Sequence, residues 1–107
     1  MEVPQISVHE LDKLIVLKKP FLLLDVREAD ELEISRLDPC LHIPMDEVPN
    51  RIGEIPKDGE VLILCRTGNR SNKIAEFLIE QGYLNVKNIA GGINGYSQEV
   101  DDTIAQY

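Results

Sequence analysis

The sequence predicts an α/β sandwich around a mostly parallel sheet. Short segments of strand length recur along the chain, at residues 21–24, 41–44, 61–64 and 86–89, the first and third continuously apolar. Helical patterns separate them. The runs at 21–24 and 61–64 do not alternate apolar with polar residues, which is the pattern of strands buried on both faces of a parallel sheet. Strands alternating with helices complete the argument. With 107 residues the chain reads as a single domain, 1–107, whose 43% hydrophobic content suffices for one core.

Each element has its own justification. Ser7 and Glu10 form a capping box, and Leu11, Leu14, Ile15 and Leu17 follow at helical spacing until Lys18, Lys19 and Pro20 stop the helix. The strand 21–24 ends at Asp25. Residues 27–34 read as a short acidic helix, 41–44 as a short strand closed by Pro44, and 45–52 as a helical turn or two. Residues 55–59 are a turn. After the strand 61–64, a helix over 72–80 carries Ile74, Phe77 and Leu78 on one face and stops at Gly82. The strand 86–89 leads through Gly91-Gly92 into a last short helix from Ile93. The tail, 98–107, is polar and is expected to fray, leaving a core of about residues 6–97.

A formal charge of −8 argues against nucleic acid and anionic membrane, which call for a basic surface. No run approaches the roughly 18 apolar residues of a membrane helix. Residues 1–5 have neither the basic start nor the apolar stretch of a signal peptide. Two cysteines make no disulfide framework. The expectation is a cytoplasmic protein.

The segment Cys65-Arg66-Thr67-Gly68-Asn69-Arg70-Ser71 carries the chemistry. It sets a cysteine at the end of a buried strand, under a helix N-terminus, with two arginines beside it. That setting favours a thiolate and holds an anion against it. Gly68 permits a tight turn in which N–H groups converge. Arg66 and Arg70 offer planar forks to an oxyanion, and Thr67 and Ser71 add hydroxyl donors. The local field is therefore positive within an acidic chain, since charges beyond about 8–10 Å are screened. The competing reading is a buried structural cysteine, the usual fate of a lone one. Spacing bears on a second choice. Cysteine phosphatases place one more residue between cysteine and arginine than the four found here between Cys65 and Arg70. A smaller ring of N–H groups suits a single terminal sulfur better than a phosphoryl group.

Three segments, Leu23-Leu24-Asp25-Val26-Arg27-Glu28, Leu41-His42-Ile43-Pro44, and Cys65 through Ser71 with Gly91-Gly92-Ile93 downstream, together resemble the rhodanese family of sulfurtransferases. The resemblance implies a three-layer sandwich with a central, mostly parallel sheet of about five short strands and helices on both faces. It implies that Cys65 carries a sulfane sulfur as a persulfide, taken from a small anionic donor such as thiosulfate or from another persulfide. The sulfur then passes to a nucleophilic acceptor, including an acceptor protein. The N–H groups of Arg66 through Ser71 would hold the terminal sulfur, Arg66 and Arg70 would bind the donor or orient the loop, and no metal or organic cofactor is implied. The alternative is a rhodanese-fold docking or delivery module with little turnover of its own.

Ser35-Arg36-Leu37-Asp38-Pro39-Cys40, with Glu33-Ile34-Ser35-Arg36 ahead of it, stands where many members have Gly-His-Ile-Pro-Gly-Ala. It resembles the rhodanese domains fused to adenylating enzymes of sulfur-carrier pathways, and it equally suits a free-standing relative. Tyr96 stands where the family often has tryptophan, and reads as packing. Asp25 and Arg27 are supporting residues, read as a buried ion pair or loop brace before pocket tuners. Cys40 reads as a core filler before a resolving thiol. His9 reads as surface and His42 as packing. The acidic run 28–33 reads as a solvated helix face before a docking surface for a basic partner, and the resemblance implies that residues 88–92 form a rim of the pocket, although their glycines equally suit plain turns.

Overall fold

A computed structural model describes residues 1–107. Five parallel strands form one sheet: β1 (Gln5–Ile6), β2 (Leu22–Asp25), β3 (Leu41–His42), β4 (Val61–Leu64) and β5 (Val86–Ile89), in the order β1-β5-β4-β2-β3. Four α-helices connect and flank them: α1 (Val8–Val16), α2 (Ala29–Ile34), α3 (Asn69–Glu80) and α4 (Gly92–Glu99). The predicted α/β class and parallel sheet stand. No apolar run announces β1, because its two residues are one exposed glutamine and one buried isoleucine. It pairs with β5 through Gln5 opposite Asn88 and Ile6 opposite Ile89.

The unalternating runs are buried on both faces because the sheet separates two cores. Val61 and Ile63 of β4 join Ile74, Ala75 and Leu78 of α3. Leu62 and Leu64 point the other way, to Val8 and Leu11 of α1 and Ile93 and Tyr96 of α4. Burying each such side chain contributes roughly 1.5–3 kcal/mol. The Ser7–Glu10 capping box closes as predicted, with Ser7 Oγ accepting from the Glu10 N–H at 3.0 Å and Glu10 Oε1 from the Ser7 N–H at 3.1 Å.

Two local expectations change, and a third, the helical turns after β3, is met in 3-10 form. Helix α3 begins at Asn69, so half of the cysteine segment is a helix turn and not a loop. Residues 45–54 form two 3-10 turns, Met45–Glu47 and Pro49–Glu54. Helix α2 begins at Ala29, which leaves Arg27 outside it and turned into the protein.

Arg27 and Asp25 are wholly buried. Arg27 Nε and Nη2 donate to the Asp25 carboxylate at 3.0 and 2.8 Å. Its remaining donors reach the Ser35 carbonyl at 2.9 Å, the Glu31 carbonyl at 3.3 Å and the Tyr107 hydroxyl at 3.0 Å. All five guanidinium N–H groups thus have acceptors, which is what allows the charge to stay inside. The pair ties the end of β2 to both ends of α2.

A second brace joins α2 to α3. Glu31 accepts both prongs of Arg70 at 2.7 and 2.8 Å, and the Tyr107 hydroxyl donates to it at 2.6 Å. The Arg70 guanidinium, followed by the tyrosine hydroxyl and the Glu28 backbone, holds the Glu31 carboxyl down at about 2. The tail, whose polarity points to fraying, makes specific contacts through Tyr107. Tyr107 also exchanges hydrogen bonds with Asn94, and Ser97 Oγ donates to the Ile104 carbonyl.

Asp25→Ala leaves Arg27 buried and unpaired, and is expected to cost about 3–5 kcal/mol. Thermal unfolding checks this: a loss below about 1 kcal/mol removes the pair from its bracing role. The depressed Glu31 pKa gives stability that is complete above about 4.5 and lost as pH falls toward about 2. Glu31→Gln should therefore be less stable than the parent at neutral pH, by on the order of 2 kcal/mol after allowing for the part-exposed arginine. The gap should close through that acid window in denaturant titrations, and a constant gap contradicts the assignment.

Candidate active site

Cys65 directly follows β4, between the ends of β2 and β5 and at their carboxyl edge, where open parallel sheets bind ligands. The chain then has to turn under α3. Gly68 makes the turn at φ 105°, a left-handed conformation that favours glycine, and its N–H donates to the Cys65 sulfur at 3.1 Å. Asn69, Arg70 and Ser71 open α3, so their N–H groups have no carbonyl four residues back. Among the N–H groups from Arg66 to Ser71, only that of Gly68 has a partner in the chain, and the partner is the sulfur.

The carbonyls of this turn point the other way because α4 takes them. The Ile93 N–H donates to the Cys65 carbonyl at 3.0 Å and the Asn94 N–H to the Arg66 carbonyl at 3.1 Å. The approach is so close that a Cβ on Gly92 would lie 2.4 Å from the Arg66 oxygen. Gly91-Gly92 is thus more than a rim. It is the contact that turns the donors of the loop toward Cys65.

Cys65 is 1% exposed and Ser71 is buried. Ser71 Oγ lies 3.1 Å from Cys65 Sγ and donates to Asn88 Oδ1 at 2.5 Å. The two arginines sit at the mouth, and neither fork is idle. Arg70 is held by Glu31, so its guanidinium is paired within the chain. Arg66 is exposed and its guanidinium lies over the Tyr107 ring, 5.1 Å from the centroid. Thr67 and Asn69 are exposed and their side chains make no hydrogen bond. The positive field of the segment is accordingly partly offset by Glu31.

Asp25 and Arg27 pair at the end of β2, the strand beside β4. His42 Nε2 is 2.6 Å from the Arg27 carbonyl, a packing contact of the same region. His9 lies on the surface, paired with Glu99. Cys40 packs against the α1/α4 core, beside Asp38 and Arg36, whereas Cys65 belongs to the α3 core. Burial first, and then the charge of Asp25, push the Cys40 thiol up. No group of three or more His, Cys, Asp or Glu is placed to hold a metal. An apolar cavity of about 370 Å³ between α1 and Leu37 is lined by no residue of the cysteine segment.

Glu31 and Tyr107 are residues whose contacts the sequence does not single out, and Asn88 is expected there only as part of the pocket rim. Asn88 had a readable signal: it is the one amide in β5, where only Lys87 is not buried. Glu31 and Tyr107 had none, since each acts across more than 35 residues of chain.

The family model for the rhodanese-like domain matches residues 7–99. A sulfurtransferase of Allochromatium vinosum is 35% identical over 90% of this chain and 90% of its own. The adenylyltransferase and sulfurtransferase UBA4 of Candida albicans is 32% identical over 96% of this chain, which spans 25% of that protein. The crystal structure of a rhodanese-like domain protein from Staphylococcus aureus superimposes with a TM-score of 0.84 at 27% identity, covering 98% of this chain and 99% of the other. With the cysteine turn and parallel sheet described above, these matches show that the chain belongs to the rhodanese-like domain family.

Proposed function

We propose that this protein is a sulfurtransferase that works through a Cys65 persulfide. The observation that carries the reading is the set of inward N–H groups over one sulfur: the Gly68 N–H on Sγ, with its neighbours from Arg66 to Ser71 free of intramolecular partners. Such a ring stabilises negative charge on a terminal sulfur without a metal. The Cys65 thiolate attacks the outer sulfur of thiosulfate. The sulfur–sulfur bond of the donor breaks, and sulfite leaves with the electron pair. An acceptor nucleophile then attacks the outer sulfur of the persulfide, and Cys65 leaves as thiolate. One difficult transfer becomes two easier displacements.

Arg66 is the exposed cation at the mouth and is the residue suited to meet an anionic donor. Arg70 shapes the first turn of α3 through Glu31. The relatives named for both adenylyltransferase and sulfurtransferase activity support a protein acceptor alongside small ones. The acidic composition and two free cysteines support a reducing, cytoplasmic setting. No helix is long and apolar enough to cross a membrane.

Incubation with thiosulfate should add one sulfur to the intact mass, and cyanide should then yield thiocyanate, both lost in Cys65→Ser. A persulfide that forms without useful turnover marks a delivery module. Absence of both, with phosphate released from an aryl phosphate, overturns sulfur transfer. A second prediction divides the arginines. Arg66→Ala should raise the KM for thiosulfate about three- to tenfold with little change in kcat. Arg70→Ala should act mainly on thermal stability. Steady-state kinetics with both variants checks this, and a larger KM effect from Arg70→Ala reverses the assignment.

A further inference from the structure

We propose that Asn88 is a positioning residue that keeps the Ser71 hydroxyl hydrogen away from the Cys65 sulfur, so that Ser71 faces the sulfur as an acceptor. The proposal rests on the reading of Cys65 as the reacting atom, and not on which group it transfers.

Backbone carbonyls, which can only accept, fix the direction of every hydrogen in the network. The Val3 carbonyl takes Gln5 Nε2 at 3.1 Å, so Gln5 turns Oε1 toward Asn88. The Gly68 carbonyl takes Asn88 Nδ2 at 3.2 Å, and the same nitrogen donates to Gln5 Oε1 at 2.8 Å. Both amide donors of Asn88 are then used. Its Oδ1 is left facing Ser71 Oγ at 2.5 Å, and an amide oxygen has no hydrogen to give. The hydrogen between them belongs to Ser71. A hydroxyl has only one, so Ser71 shows a lone pair to Cys65 Sγ at 3.1 Å.

That arrangement fits a neutral S–H pointing at Ser71. It does not fit a thiolate, which would meet lone pair against lone pair. For Ser71 to support the charged sulfur, its hydrogen must swing from Asn88 to Sγ. Cys65, Ser71 and Asn88 are 1%, 0% and 4% exposed, so the exchange takes place inside the protein. Asn88 competes with the sulfur for one hydrogen, and the Gly68 N–H serves both states.

The test is the rate at which iodoacetamide alkylates Cys65 in the full chain at neutral pH, read by mass on the Cys65 peptide so that Cys40 does not interfere. Asn88→Leu removes the competing acceptor and is expected to speed alkylation about fivefold, the worth of one hydrogen bond. Asn88→Asp still presents an oxygen to Ser71, and should react at or below the rate of the parent. In a Ser71→Ala background the gain from Asn88→Leu should vanish. If leucine is not accommodated, Asn88→Ala carries the same expectation. Faster alkylation in both the leucine and aspartate variants, a gain that survives without Ser71, or no gain from Asn88→Leu or Asn88→Ala overturns the proposal. No sulfur donor enters the assay, so its outcome is separate from that of the thiosulfate experiment.

Discussion

The turn around Cys65 keeps its shape because the first turn of α4 is pressed against its backbone. Two N–H groups of α4 occupy the Cys65 and Arg66 carbonyls, and Gly92 is the residue that lets them come close enough. A peptide unit whose carbonyl is held outward presents its N–H inward. The N–H face of the turn is therefore made from behind, by a helix that need not touch the sulfur. The first turn of α3 then supplies further donors at no structural expense, since those groups lack helical partners in any case.

Charge is managed in layers beside this turn. Asp25 and Arg27 form a closed, fully satisfied pair at the end of β2. Glu31 neutralises Arg70 next to the turn, and Tyr107 joins the two layers by bonding to both Arg27 and Glu31. The effect is to leave Arg66 as the exposed cation of the segment. A chain with a formal charge of −8 can thus keep a small, well-defined donor surface over one sulfur without a general basic patch.

Much of this was legible in the sequence. Unalternating runs at 21–24 and 61–64 gave away a two-sided parallel sheet, because both faces of those strands must be dry. The glycine and two arginines around Cys65 gave away the turn, because only a few residue types suit that backbone and that chemistry. The rest was hidden for physical reasons. Strand β1 is two residues long and owes its existence to pairing with β5, not to propensity. The start of α3 at Asn69 is masked by polar residues that serve the turn as well as the helix. The bond between Glu31 and Arg70 joins residues 39 apart, and an acidic helix face reads the same whether or not a distant arginine lands on it. Tyr107 lies in a polar tail whose composition carries no trace of its ring packing beside Arg66.

The placement of the two cysteines in separate cores has a kinetic meaning. In a chain whose second thiol lay near the first, a sulfur carried on Cys65 could be expelled as the two closed into a disulfide. Here Cys40 faces the other side of the sheet, against α1 and α4. Under the proposed persulfide chemistry, a loaded molecule would have no second thiol on its own side of the sheet to expel the cargo, and unloading would wait on a nucleophile from outside.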